Sequence, residues 1–308
     1  MEQLENELLC LQLAPELGGK IVQLTDRRSQ RAWLFQHPRL SRKLPGEAEL
    51  GAPDVYTRLA DFGGWDECCP TVAASTYPWM PYEGAPLADH GDCWYQVPTI
   101  AQSNDWIEYC WRLRTLPVTL CRRMWLSPDQ PRLDMSYALR SQGDESIALL
   151  WSAHPLLAIE AGMRLELPPE TRLRIVSDDS ALGAIGHEFT WPWAGDVDLS
   201  RLRPDAGWHA KLFSEPLNPG WVALVAPDGS RLQISWESDT PLEELPLRLA
   251  LWLNYGSWSG DDGAALQNVG LEPCLGMPDA LHEAAAAGTA FVLPSGASYQ
   301  WRLSVTLN

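Results

Sequence analysis

Apolar residues in this chain recur at every second position, in short runs cut by proline and glycine, and that pattern constrains the fold more than any other feature. Alternation of period two places one apolar face on a β-strand, whereas a helix needs a period near 3.6. Trp221–Val225 reads as a strand, Pro227-Asp228-Gly229 as a turn, and Leu232, Ile234 and Trp236 as the returning strand. Cys121–Leu126 and the alternating Leu133, Met135, Tyr137 and Leu139 predict a second hairpin, and Leu9–Leu13 with Ile21–Leu24 a third. Tyr299, Trp301, Leu303, Val305 and Leu307 make one clean face of a closing strand. Helix signals are few. Pro278–Ala287, ended by Gly288, is the one segment that reads as two to three turns. Twenty-five prolines and 23 glycines are spread along all 308 residues with no composition break or repeat. The expectation is all-β: one large β-sandwich domain over residues 1–308, with function on loops or on a concave sheet face.

Charge narrows the partners. Lys+Arg number 23 against Asp+Glu 40, a formal net charge of -17. Nucleic-acid binding needs clustered cations to release counterions, so a nucleic-acid partner is not expected, and neither is an anionic membrane surface. A highly phosphorylated substrate is weakly disfavoured too. MEQLENELLCLQL at the N-terminus has no basic region or long apolar run of the signal-peptide kind. No stretch approaches the roughly 18 apolar residues of a membrane span. Seven cysteines, with Cys68 and Cys69 adjacent and no Cys-x-x-Cys spacing, predict reduced thiols in a cytoplasm. The pattern is silent on oligomeric state. The 16 tryptophans exceed ordinary usage. Most should fill core, but indole faces also stack on the C–H faces of pyranose rings, so some are expected to line a pocket.

Phosphate-loop, dinucleotide-binding and His-Glu-x-x-His signatures are missing from the sequence. Gly256-Ser-Trp-Ser-Gly260 has Trp258 where a nucleophile elbow needs serine. The positive signal is a histidine and a glutamate in apolar settings. His154 lies in ALLWSAHPLL and Glu272 in NVGLEPCLGMPDAL. Ionisation in such settings is costly, so each group should be paired, hydrogen-bonded or functional. Together an imidazole and a carboxylate can deliver one proton to a substrate and remove another.

The order and local sequence of several segments resemble the aldose 1-epimerase (galactose mutarotase-like) superfamily. They are Leu13–Leu24, Gly63–Pro70 (GGWDECCP), His90-Gly91 with Trp94, Trp151–Pro155 (WSAHP), Leu271–Leu281 (LEPCLGMPDAL) and the closing strand. The resemblance spans nearly the whole chain and implies a β-supersandwich that interconverts the α and β anomers of an aldose without metal, nicotinamide or other cofactor. It casts His154 as general acid near the ring oxygen, Glu272 as general base on the anomeric hydroxyl, and His90 as an orienting hydrogen-bond partner. Two departures bear on the substrate. Leu156-Leu157-Ala158 replaces the aromatic-Phe-Asn continuation of galactose-specific relatives, and Phe62 stands where hexose-6-phosphate relatives carry arginine. Asp66 and Glu67, following the Gly-Gly pair, would then accept hydrogen bonds from a neutral sugar, with Asp198 as a further hydroxyl contact. His37, His187, His209 and His282 are read as surface or capping residues. The alternative reading is a carbohydrate-binding sandwich that has lost turnover. A working acid/base pair needs Glu272 ionised and His154 protonated, which unperturbed values allow only in a narrow acidic window. The carboxylate would widen that window toward neutrality, and burial would oppose it.

Overall fold

The computed structural model describes residues 2–37, 55–59, 63–178, 182–259 and 265–308. Phe62 lies outside them. Among these residues two large antiparallel sheets dominate, one of eleven strands and one of eight. At the middle of the larger sheet, Trp65–Cys68, Trp151–Ala158, Gln267–Leu275, Leu247–Tyr255 and His209–Ser214 lie side by side in that order. All three hairpins expected from alternation form, as Leu9–Ala14 with Lys20–Asp26, Val118–Leu126 with Arg132–Ser141, and Gly220–Val225 with Arg231–Glu237. The closing strand Ser298–Leu307 fits between Arg231–Glu237 and Arg132–Ser141 in the smaller sheet.

The inner faces of the two sheets share one apolar core. Leu247, Leu249, Leu251 and Leu253 of the larger sheet and Trp301, Leu303 and Val305 of the smaller are all buried. Trp301 is stacked on Tyr137 and meets Trp151 edge-on, with ring centroids 5.4 and 4.6 Å apart. Six of the tryptophans (33, 65, 111, 151, 236 and 301) are among the largest fully buried side chains, as expected of residues that fill gaps between sheets.

Glu67 belongs to this interlayer core, which corrects its expected place at the substrate. Successive residues of a strand face opposite sides of the sheet. Asp66 pairs with His154 on one face, while Glu67 pairs with Ala153 on the other. Fully buried, Glu67 receives hydrogen bonds from Arg122 Nη1 (2.8 Å), Tyr137 Oη (2.9 Å) and Trp151 Nε1 (2.9 Å). Arg122, equally buried on the facing sheet, also donates to the Gly19 carbonyl at 2.6 Å. Burial pushes the Glu67 carboxyl up against the pull of Arg122.

Two other expectations need amending. Cys110 and Cys121 face each other across adjacent strands, with Cα atoms 4.1 Å apart, and form a disulfide, so the reduced-thiol expectation fails for this pair. Cys10, Cys68, Cys69, Cys93 and Cys274 are free. The helix expected at Pro278–Ala287 spans Leu281–Ala286. Its start is displaced because the Asp279 carbonyl accepts from the Val72 and Ala73 amides and Ala280 bridges Ala73, holding this stretch extended. Among the described residues no helix is long and apolar enough to cross a membrane.

Candidate active site

The outer face of the larger sheet carries a cleft of about 270 Å³ over its central strands. Strand register dictates its floor. Ser152 and His154 alternate onto this face from Trp151–Ala158, while Gly270 and Glu272 do so from Gln267–Leu275. Ala250 lies opposite Glu272, and Trp252 opposite both Gly270 and Lys211. Gly270 is the tight point of this floor. A Cβ on Gly270 would run into Glu272 Oε1 and would sit 3.0 Å from the Trp252 Cβ.

Glu272 is fully buried. Its Oε2 accepts from Lys211 Nζ at 2.6 Å and from Ser152 Oγ at 3.4 Å. Its Oε1 has no hydrogen-bond partner and lies 3.8 Å from His154 Nε2. His154, 6% exposed, also has a buried and unpartnered Nδ1. Burial, reinforced by His90, Lys211 and Lys20, holds the His154 imidazole well below its ordinary pKa. Burial pushes Glu272 above the usual carboxylate value, against the Lys211 ammonium on Oε2. For Lys211, burial disfavours the charge, but Asp279 (3.6 Å) and Glu272 outweigh it and raise the pKa, so this lysine stays an ammonium.

His90 closes one side. It sits at φ +61, a conformation uncommon for residues with a side chain, on a loop whose amides donate to the Cys69 and Val72 carbonyls. Gly91 follows because a Cβ there would overlap the Cys69 backbone. The His90 ring is stacked on Tyr56 at 3.8 Å and meets His154 edge-on at 4.9 Å, and its Nδ1 is 2.9 Å from Asp89 Oδ1.

Asp66 lies beneath this group instead of lining the cleft. Its Oδ2 accepts from Lys20 Nζ (2.5 Å) and from Tyr56 Oη (2.7 Å), so it props the ring that carries His90. Tyr56→Phe should keep the stack on His90 but leave Asp66 short of a donor. The expected cost is about 1–3 kcal/mol of stability, read from urea unfolding. Asp198 is held by Ser200 and Arg201, away from the cleft, and is therefore not a substrate contact in this structure.

Sequence reasoning missed several lining residues, among them His209, Lys211, Trp252 and Trp258. His209, expected at the surface, tilts over Trp252 at 5.2 Å and pairs with Ser257 Oγ at 2.7 Å. Lys211, two positions on, shares its face; a lysine inside the strand run HAKLFS was the available signal. Trp252 and Trp258 form an aromatic wall, edge to face at 5.4 Å. His187 and His282 are exposed, as expected.

The cleft thus offers a neutral imidazole, a carboxylate with a free oxygen, and an aromatic wall. No cluster suited to a metal ion occurs among the described residues. Protein-family profiles and curated protein sequences give no match to the chain. Solved structures do. A galactose mutarotase-related enzyme from Lactobacillus acidophilus superposes with TM-score 0.69 at 14% identity, over 100% of this chain and 97% of that one. A galactose mutarotase-like protein from Lactobacillus casei gives 0.68 at 16%, over 100% of both chains. An aldose epimerase homologue from C. elegans gives 0.58 at 11%, over 99% and 98%. The chain has the galactose mutarotase-like fold.

Proposed function

We propose that this mutarotase-like fold carries a cofactor-independent aldose 1-epimerase acting on a neutral aldose or sugar derivative. The observation that carries the reading is the convergence of His154 Nε2 and Glu272 Oε1, 3.8 Å apart on the cleft floor. Opening a hemiacetal removes a proton from O1 and delivers one to the ring oxygen. Those two oxygens share a single carbon, so acid and base must converge as these two do. Rotation about C1–C2 and the reverse transfers give the other anomer. His90 orients the sugar, and Trp252 offers its face to the ring. Lys211 neutralises Glu272 without leaving excess positive charge, since Asp279 shares it, which suits a neutral substrate. The test is anomer exchange by NMR over a panel of free aldoses. Exchange no faster than the spontaneous rate, with calorimetric sugar binding, would instead support the non-catalytic binding protein.

The pKa shifts dictate the pH dependence. Chemistry needs Glu272 ionised and His154 protonated, yet burial moves both groups the other way. A single proton held by the pair is therefore drawn from His154 toward Glu272, which depletes the productive arrangement. The rate falls on the alkaline side as that proton leaves the pair, and on the acid side as a second arrives. The expected kcat/KM profile is bell-shaped. Lys211→Met removes a cation that lowers both groups, so both limbs should move to higher pH. A flat profile from about pH 5 to about pH 9, or limbs moving down in Lys211→Met, contradicts the assignment.

A further inference from the structure

A second cavity, of about 260 Å³, lies farther along the same face of the larger sheet. Register places it. Arg174, Phe213, Ala250 and Glu272 are successive partners across the strands, so Arg174 shares the face of the catalytic pair, and Arg248 joins that face opposite Cys274. The apolar cluster of Phe213, Ala250, Cys274 and Met277 separates this cavity from the cleft.

Arg248 is the unusual residue. Its Nη1 donates to the Ser214 carbonyl at 3.2 Å and approaches Met277 Sδ at 3.2 Å, while its buried Nε has no partner. No carboxylate among the described residues pairs with it. The similarly half-buried Arg31 and Arg231 each meet one, at 3.0 and 3.2 Å, as does the fully buried Arg122 at 2.8 Å. Burial and repulsion from Arg174 push the Arg248 guanidinium below its ordinary pKa, the sign of a cation lacking its counter-charge. Arg172 and Arg174 also line the cavity and share a single carboxylate, Glu188. Three guanidiniums face two carboxylates, Glu188 and Glu215, so the cavity is cationic on a chain of net charge -17. Leaving a partly buried charge unpaired is costly, and guanidinium forks match the oxygens of an oxyanion.

We infer that this cavity binds a phosphate group, with the half-buried Arg248 as its anchor and Arg174 and Arg172 at its mouth. The site is separate from the proposed epimerase cleft and does not depend on that activity. Calorimetric titration with inorganic phosphate at constant ionic strength tests it. Wild type should show one saturable site, Arg248→Met should lose it, and Lys211→Met, altered in the cleft, should keep it. In phosphate-free chloride buffer Arg248→Met should unfold at no lower temperature than wild type, because it removes an uncompensated charge while keeping an apolar stem. If Arg248→Met fails to fold, Arg174→Gln serves, with affinity expected to fall at least about tenfold. Titration with glycerol phosphate distinguishes the source: tighter binding than inorganic phosphate indicates a phosphorylated metabolite, and equal binding the free ion. Equal phosphate affinity in wild type and Arg248→Met, no saturable binding in wild type, or loss in Lys211→Met alone would overturn the inference.

Discussion

Replacing Glu272 by glutamine is expected to lower kcat/KM for anomer exchange by about 10²–10⁴-fold, the usual contribution of one positioned acid or base. Glutamine has nearly the same shape and can still accept from Lys211 Nζ through its carbonyl oxygen, so the cleft should keep its form. What it loses is basicity at the oxygen that faces His154, 3.8 Å away, and that has no other partner. NMR exchange between the anomers measures the rate, and thermal unfolding controls for structure. Retention of the rate to within about threefold would remove Glu272 from the base role, since one tenfold step corresponds to only 1.4 kcal/mol. The same substitution should abolish the bell-shaped pH dependence, because one of the two titrating partners is gone.

Arg122→Met is expected to be the most destabilising simple substitution, at roughly 3–5 kcal/mol, because it strands a buried charge. Glu67 would keep only the neutral donors Tyr137 and Trp151 in a fully buried site, and the Gly19 carbonyl would lose its 2.6 Å donor. Urea unfolding should show a lower midpoint with an unchanged slope. Adding Glu67→Gln should recover part of the loss, since the stranded charge disappears with it. If the single and double variants are equally stable, a stranded Glu67 charge is not what destabilises Arg122→Met.

Much of the fold was legible because antiparallel pairing at turns is local. The hairpin around Pro227-Asp228-Gly229 requires only alternation and turn chemistry, both visible over some fifteen residues. His154 and Glu272 stood out for a similar reason, as ionisable groups inside apolar runs. Asp66 and Glu67 show where the reading slipped. Adjacent residues on one strand cannot both face a cleft, and the period-two rule already separates them. One supports His90 through Tyr56, and the other is locked in the core by Arg122.

Long-range register was not legible. Lys211 reaches Glu272 because the His209–Ser214 and Gln267–Leu275 strands lie either side of Leu247–Tyr255, and because Ala250 leaves room between them. Nothing local to Lys211 announces that neighbour. Cys110 and Cys121 likewise meet because their strands align them, not because their spacing predicts it. The sequence alone therefore determined the all-β character, three hairpins, the closing strand and the two groups that stand out by chemistry. Only the tertiary structure decided which charges meet, which face each presents and which, like Arg248, is left unmatched. Alternation is a property of neighbouring residues, whereas a pocket is assembled from strands far apart in the chain, whose alignment depends on the whole core.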